Sequence, residues 1–161
     1  MGRVLWQLLR PHTLTASFVP ALIGSVLAWP TEHFKPGLAV MMLLASMLLQ
    51  CAVNMFNEYH DYCRGLDKED SVGIGGAIVH REMSAKRVFQ LGVACVGLAL
   101  LLGIQIMQQS SWQILPWSMG CILVGYLYSG GPYPISATPF GEIASGACMG
   151  GGIISIAYYI H

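Results

Sequence analysis

The chain has 161 residues and carries eight Lys+Arg against eight Asp+Glu, so its formal net charge is zero. Hydrophobic residues make up 55% of it and charged residues only 10%, whereas a soluble domain is about 25% charged. So few charges exclude an ordinary water-soluble domain, and the high apolarity excludes a disordered chain. Without net positive charge, nucleic acid is not an expected partner. The composition predicts a protein whose surroundings are the lipid bilayer.

Five apolar runs follow in chain order, each close to the roughly 20 residues that cross a bilayer as a helix. The first four carry no charge, and the last carries only Glu142. Pro20 interrupts the first run, which a membrane helix tolerates because neighbouring groups satisfy the freed carbonyl. We predict an all-α, multi-pass membrane bundle in which residues 1–161 form a single domain. The spans are expected at about 14–29, 37–57, 88–107, 112–128 and 141–160.

The basic residues predict the orientation of these spans. Seven of the eight either precede the first run or lie between the second and third runs, and only Lys35 lies on the opposite side. Because cytoplasmic loops are rich in Arg and Lys, we expect the N-terminus and the connector 58–87 on the cytoplasmic face of a cell membrane. With five spans, the uncharged loop 129–140 reaches the same face. A site between these two loops is therefore expected.

Polar side chains gather at the end of the second run, in the segment NMFNEYHDYCRGLDKED from Asn54 to Asp70. Asn54, Glu58 and Asp61 are spaced i, i+4 and i+7. Asn57 falls beside them, so all four share one helical face. A charge run is most often a solvated loop. Here, however, polar groups are set back into the apolar run, where they are costly and usually functional.

Gly65 predicts how this helix ends. A glycine just after Arg64 suits the left-handed C′ position, and it would turn the chain so that Asp67 approaches Asp61. Carboxylates held close together repel one another unless a cation lies among them. Hard oxygen ligands with open positions suit Mg²⁺, which commonly bridges to phosphate oxygens. Positive charge for an anion is supplied nearby by Arg64, Lys68 and Arg81.

The stretch NMFNEYHDYCRGLD resembles the first Asp-rich motif of the UbiA-type intramembrane prenyltransferases, most closely in their 1,4-dihydroxy-2-naphthoate branch. Three more stretches resemble that branch in the same order along the chain. They are LRPHTLTASFVPALIGSVLA at 9–28, SVGIGGAIVHREMS at 71–84 and YSGGPYPISATPFGEIASG at 128–146. The resemblance therefore covers nearly the whole chain.

The resemblance implies a helical bundle, half of a nine-helix fold, around a cavity that opens to the cytoplasm and to lipid. It implies transfer of a polyprenyl group from a polyprenyl diphosphate to an aromatic acid, 1,4-dihydroxy-2-naphthoate in that branch, during menaquinone biosynthesis. Mg²⁺ would bind the diphosphate, the allylic C–O bond would ionise, and the ring would attack the carbocation with loss of its carboxyl group. A metal ion lowers that barrier because it neutralises the leaving group.

Site residues carried over by position follow from the same resemblance. Asp61 and Asp67 would be catalytic. The residues expected to hold Mg²⁺ are Asn57, Glu58, Asp61 and Asp67. Those expected to contact the diphosphate are Asn57, Arg64 and Lys68. Glu58 stands where many members of the superfamily have Asp, so an acid is kept. The acceptor pocket would be lined by Tyr128 and Asn54, with the GGPYP turn at 130–134.

One departure from the family pattern stands out. Members carry a second Asp-rich motif, NNxRDxxxD, in a later connector, and nothing from Gly141 onward resembles it. We therefore expect the chain to be the N-terminal half of such an enzyme and to be inactive alone. Two alternatives stay open. One is a non-catalytic membrane subunit or half-transporter that binds a cation, and the other is a UbiA-type enzyme with a different aromatic acceptor.

Overall fold

The computed structural model describes residues 2–68, 76–130 and 133–161, and only the backbone of residue 129. All regular structure within these ranges is helical. The helices in chain order are α1 (Gly2–Leu9), α2 (Pro11–Ala28), α3 (Pro36–Cys63), α4 (Ala85–Gln109), α5 (Ile114–Ser129), a 3₁₀ turn (Ile135–Ala137), α6 (Gly141–Ser145), a π-helix (Gly146–Gly152) and α7 (Ile153–Tyr159). The predicted all-α membrane bundle is confirmed.

The chain begins with a short helix that the sequence analysis did not predict. After α1, Arg10 adopts a left-handed φ of 47° and α2 starts at Pro11. Proline suits the first turn of a helix because its missing N–H would have no intrahelical partner there. Leu8 of α1 is fully buried in a cluster with Met55 of α3. Burial of this apolar side chain fixes α1 against α3.

α3 is the central helix of the bundle and contacts α1, α2, α4, α5 and α7. Its 28 residues span about 42 Å at 1.5 Å per residue. Near its first turns, Leu38 and Met42 pack with Ile106 of α4 and Ile156 of α7. Towards its other end, Met55 packs with α1 and with the start of α4. The two apolar clusters pack against the two ends of α3. The polar side chains of α3 lie between these clusters and past the second one.

Close packing of small residues joins α2 to α7. A Cβ atom added at Gly24 would lie 2.5 Å from the carbonyl oxygen of Ile154 and 2.6 Å from the Cβ of Ala157. Both distances are shorter than a van der Waals contact, so a side chain at this position would clash with α7. Apolar lipid gives helices little reason to associate, so close backbone approach at small residues is a main source of their attraction. Gly24 is thus required by the packing and not by its backbone freedom.

The segment predicted as the fifth span is helical but not uniform. α6, the π-helix and α7 follow one another without interruption from Gly141 to Tyr159. The π-helix has the sequence GACMGGG, and glycine is among the weakest helix formers. Short π segments of this kind occur often at functional sites. Here the π-helix contacts α2 and α5.

Among the described residues, three helices are long and apolar enough to cross a bilayer, namely α2, α3 and α4, and Ile114–Tyr128 of α5 forms a shorter apolar helix. Large apolar side chains on α4 are exposed, among them Leu98, Leu101 and Ile104. In water such a surface would be costly, whereas lipid is its natural solvent. The helices coincide with the five predicted runs, and the number that cross the membrane stays a prediction.

Candidate functional site

A cavity of about 640 Å³ runs through the bundle alongside α3. Its walls come from α2, α3, α4, α5 and the segment 144–156. From Met42 to Asn57 the cavity follows α3 for about 22 Å, because fifteen helical steps of 1.5 Å separate these two residues. Apolar side chains such as Ile106 line the deep end, whereas Arg10, Thr13 and Asn57 are among the polar groups at the other end. The shape and lining suit a long apolar ligand with a polar head.

A row of polar side chains on α3 is bonded to α2 and to the α1–α2 junction. The hydroxyl of Ser17 donates to Oε1 of Gln50 at 3.1 Å, and both residues are buried. One turn later, Nδ2 of Asn54 donates to the carbonyl of Leu9 and to Oγ1 of Thr13, each at 2.8 Å. The Leu9 carbonyl is a helix-terminal group that would otherwise lack a donor. Asn54 therefore fastens the junction to α3.

Glu58 continues this row and is 1% exposed. Its Oε1 accepts hydrogen bonds from the backbone N–H groups of Gly76, at 3.1 Å, and Ile78, at 3.2 Å. Its Oε2 lies 3.7 Å from Nη2 of Arg10. Oε1 therefore faces protein donors, whereas Oε2 has only this longer ion-pair contact and no hydrogen-bond partner among the described residues. A buried carboxylate needs such partners, since an uncompensated charge is expensive to bury.

Asn57 projects from the neighbouring side of α3 and lines the cavity. Its Oδ1 is buried and has no hydrogen-bond partner among the described residues. A buried acceptor left without a donor costs free energy, so this oxygen is available for a cation or a ligand donor. Asp61 lies one turn further along α3, with its side chain 37% exposed and its Oδ1 3.8 Å from Nη1 of Arg64.

The predicted glycine turn after α3 is confirmed. Gly65 has a φ of 69°, and its N–H bonds to the carbonyl of Tyr62 at 3.0 Å. The N–H of Leu66 bonds to the carbonyl of Asp61, also at 3.0 Å. This pair of bonds is the Schellman arrangement, which needs a left-handed residue at C′. The turn reverses the chain direction after α3, and Asp67 follows Gly65 by two residues.

The donors in this region fit Mg²⁺ in type but form only part of a shell. Over residues 2–68, 76–130 and 133–161, no group of three or more His, Cys, Asp and Glu side chains is placed to hold a metal. The oxygen donors in this part of the chain are the amide oxygen of Asn57, which has no partner among the described residues, and the carboxylates of Asp61, one turn further along α3, and Asp67, just after the turn. These are hard oxygen donors, and Mg²⁺ commonly takes one or two carboxylates plus water and phosphate oxygens.

The remaining predicted residues divide between the cavity and the surface. Tyr128 and Asn54 both border the cavity at its polar end. Arg64 and Lys68 are exposed on the turn that follows α3. Tyr133 of the predicted GGPYP turn is 90% exposed, and residues 131–132 of that turn lie outside the described part of the chain.

Sequence reasoning missed several polar residues of the site. Arg10 and Tyr126 line the cavity, and so do Ser17 and Gln50. Gln50 carried a usable signal, because it precedes Asn54 by four residues within an uncharged run. For Arg10 no local signal existed, since only the left-handed break between α1 and α2 brings its side chain to Glu58.

Together, the apolar surface, the long helices and the internal cavity define a multi-pass membrane protein with a polar site at one end of an apolar chamber. A family model, described as the UbiA prenyltransferase family, matches residues 17–161. The chain belongs to this family, as the sequence resemblance predicted.

Two related proteins indicate the branch of the family. The chain is 51% identical over 160 residues to the 1,4-dihydroxy-2-naphthoate octaprenyltransferase of Bacillus subtilis (strain 168), a match that covers 99% of this chain and 51% of that protein. It is 36% identical over 99 residues to the protein of the same name from Escherichia coli (strain K12), covering 58% of this chain and 32% of that one.

A solved structure supports the fold. The chain is similar to a UbiA homolog from Archaeoglobus fulgidus bound to DMAPP and Mg²⁺, with a TM-score of 0.80 and 19% identity. The match covers 98% of this chain and 54% of the archaeal one. The chain therefore spans about half the length of the Bacillus protein and of the archaeal structure.

Proposed function

We propose that this protein takes part in transferring a polyprenyl group from an allylic diphosphate to 1,4-dihydroxy-2-naphthoate in menaquinone biosynthesis. The observation that carries the proposal is the cavity, which is apolar for most of its length and reaches Asn57, one turn before Asp61. A polyprenyl diphosphate has the same division into a long apolar tail and an anionic head. The name of the Bacillus protein, at 51% identity, supports the choice of acceptor.

In this proposal Asn57, Asp61 and Asp67 hold Mg²⁺ at the polar end of the cavity. The bound ion would neutralise charge on the leaving diphosphate. Arg64 and Lys68 are exposed beside the acidic turn and would add positive charge near the phosphate oxygens. Electrostatic stabilisation of developing charge is often the largest single contribution to catalysis. The archaeal relative was solved with DMAPP and Mg²⁺, which supports a metal-bound allylic diphosphate here.

The cavity would hold the isoprenoid tail and the aromatic ring. Side chains from α2, α3, α4 and α5 enclose the tail in apolar surroundings. Tyr128 lies at the polar end, where the ring would meet the allylic carbon. Exclusion of water matters for this chemistry, because water would quench an allylic cation before the ring reacts. The distribution of Arg and Lys supports a cytoplasmic position for the N-terminus and for this end of the cavity.

A chimera tests the proposed function. Residues 1–161 would replace the matching half of the Bacillus protein, and the chimera would be expressed in membranes of a strain that lacks its own enzyme. We expect prenylated product from Mg²⁺, 1,4-dihydroxy-2-naphthoate and a polyprenyl diphosphate. Replacement of the naphthoate by 4-hydroxybenzoate is the control for acceptor choice. A chimera that inserts and folds but yields no product with either acceptor would refute the proposal.

A further inference from the structure

We propose that Glu58 is a positioning residue. Its carboxylate holds the α3–α4 connector and the α1–α2 junction against α3, an arrangement that we call the clamp. Mg²⁺ would instead bind the neighbouring Asn57, Asp61 and Asp67. The clamp itself rests on geometry, and its benefit to the metal site rests on the proposed function.

The Glu58 carboxylate contacts two separate parts of the chain. One oxygen accepts from two backbone amides of the connector, Gly76 and Ile78, and the other oxygen faces Arg10 at 3.7 Å. The side chain is 1% exposed, so water does not compete for these groups. Hydrogen bonds to a buried charged group are stronger than neutral ones. A metal ion at Oε1 would have to displace these two amides, and one at Oε2, which has no hydrogen-bond partner among the described residues, would meet the positive charge of Arg10.

The connector packs against the bundle next to the two amides that bond Glu58. Ala77, between the two bonded amides, is 2% exposed, and Ile78 packs in a cluster with Leu8 and Val88. Gly76 has a φ of 109°, a conformation that side chains rarely adopt. The two amides that bond Oε1 thus flank a buried residue of the connector, and opening of the connector to solvent would break these bonds.

Helical geometry explains why the neighbouring residue has a different role. Consecutive residues of an α-helix differ by about 100°, so Asn57 and Glu58 point to different sides of α3. Asn57 lines the cavity with an oxygen that has no partner among the described residues, and Asp61 follows it by one turn. Glu58 instead follows Asn54, whose amide is bonded to the α1–α2 junction. Asn54 and Glu58 therefore stabilise the fold, whereas Asn57 and Asp61 can bind a ligand.

Two conservative substitutions separate a clamp from a metal ligand. Glu58→Gln keeps the length of the side chain and an oxygen for both amides, but it removes the charge. Glu58→Asp keeps the charge but shortens the reach by one methylene. A clamp on backbone amides tolerates Gln better than Asp, whereas an Mg²⁺ ligand tolerates Asp better than Gln because Mg²⁺ prefers carboxylates. Glu58→Ala removes both properties, and Glu82→Gln removes an exposed charge from the same connector as a control.

The connector is monitored by thiol labelling of the 161-residue chain in lipid nanodiscs. Ala77→Cys is introduced after the five native cysteines are replaced, and its reaction rate with a maleimide reports opening of the connector. We expect the rate to be the same for the parent and Glu82→Gln, modestly higher for Glu58→Gln, which loses the charge that faces Arg10, higher again for Glu58→Asp, and about tenfold higher for Glu58→Ala, because lost buried bonds favour local opening. Equal rates for all variants would overturn the clamp.

The metal site is monitored in the same samples by binding of geranyl diphosphate at increasing Mg²⁺. We expect Glu58→Gln to leave the Mg²⁺ midpoint within about twofold and Asp61→Asn to raise it about tenfold, since only the latter removes a carboxylate from the metal. A raised midpoint in Glu58→Gln but not in Glu58→Asp would identify Glu58 as a ligand and overturn the inference. If the parent chain binds no geranyl diphosphate, the proposed function is in doubt, and the labelling rates alone decide the clamp.

Discussion

Individual residues of α3 show that polarity inside an apolar helix has two different uses. Gln50 and Asn54 are bonded to α2 and to the α1–α2 junction, so their polar groups are satisfied within the fold. Asn57 keeps a buried oxygen without a partner in the described part of the chain. A folded protein retains such a group at a cost, and ligand binding is the common reason.

The acidic pair at the end of α3 carries the first prediction at this scale. In an active chimera, Asp61→Asn and Asp67→Asn should each reduce turnover by about 100-fold or more, because each removes a formal charge from the metal site. Turnover would be measured from prenylated product at saturating substrates. Glu82→Gln is the matched control, since Glu82 is exposed in the connector. Mild effects from both aspartates, similar to that control, would indicate a solvated loop.

The buried bond between Ser17 and Gln50 carries the second prediction. Gln50→Leu should lower the free energy of unfolding by about 1 kcal/mol, because it leaves the Ser17 hydroxyl buried without its acceptor. Adding Ser17→Ala should recover part of that loss, since the orphaned hydroxyl is then removed. Unfolding in a mixed detergent and SDS titration would measure both changes. Strict additivity of the two substitutions would show that the bond has no energetic weight.

At the scale of helices, shape complementarity decides which neighbours meet. α2 approaches α7 closely at Gly24, whereas Gly97 on α4 has open space around it. The Gly-rich segment Gly146–Gly152 adopts a π-helix where it contacts α2 and α5. Glycines of similar appearance in the sequence therefore have different structural roles, and only their surroundings distinguish them.

A pair of glycine substitutions tests this difference. Gly24→Ala should destabilise the protein by about 1–3 kcal/mol, because the added methyl group would clash with the backbone of α7. Gly97→Ala should be neutral or should stabilise by up to about 1 kcal/mol, because alanine is the better helix former and no atom lies near. The same SDS titration compares them. Equal effects at both positions would contradict close packing of α2 on α7.

Across the bundle, charged and polar groups gather at one end of the apolar cavity. One end of α3 carries the acidic turn with the exposed residues Arg64 and Lys68. The polar end of the cavity, with Arg10 and Asn57, lies at the same end of α3. At the opposite end of α3, Lys35 is the one basic residue that the sequence places across the membrane from the others. The charge asymmetry therefore runs along the axis of the cavity.

Cysteine labelling tests the orientation that this asymmetry predicts. In a cysteine-free variant, Glu82→Cys should react with a membrane-impermeant reagent only when the cytoplasmic side is opened, and Glu32→Cys should react in intact cells. Both positions are exposed, so accessibility within the protein does not limit either reaction. The expectation follows from the excess of Arg and Lys on cytoplasmic loops. The reverse pattern would place the acidic turn on the wrong side of the membrane for a cytoplasmic substrate.

Two features could be predicted from the residues alone, the helical class of the structure and the position of the acidic turn. Apolar runs of membrane-spanning length require helices, because a backbone in lipid must satisfy its own hydrogen bonds. Gly65 after a helix predicts a left-handed turn from local sterics alone, and the structure has it at a φ of 69°.

The different contacts of the polar residues of α3 depend on how the helices pack around it. Their spacing places them on a face about 100° wide, which is broad enough to meet two different neighbours. Which edge meets protein and which meets the cavity depends on where α1, α2 and the connector pack. In the structure, Glu58 contacts backbone amides and Arg10, whereas Asn57 faces the cavity. Such contacts join residues distant in sequence, so no local pattern could specify them.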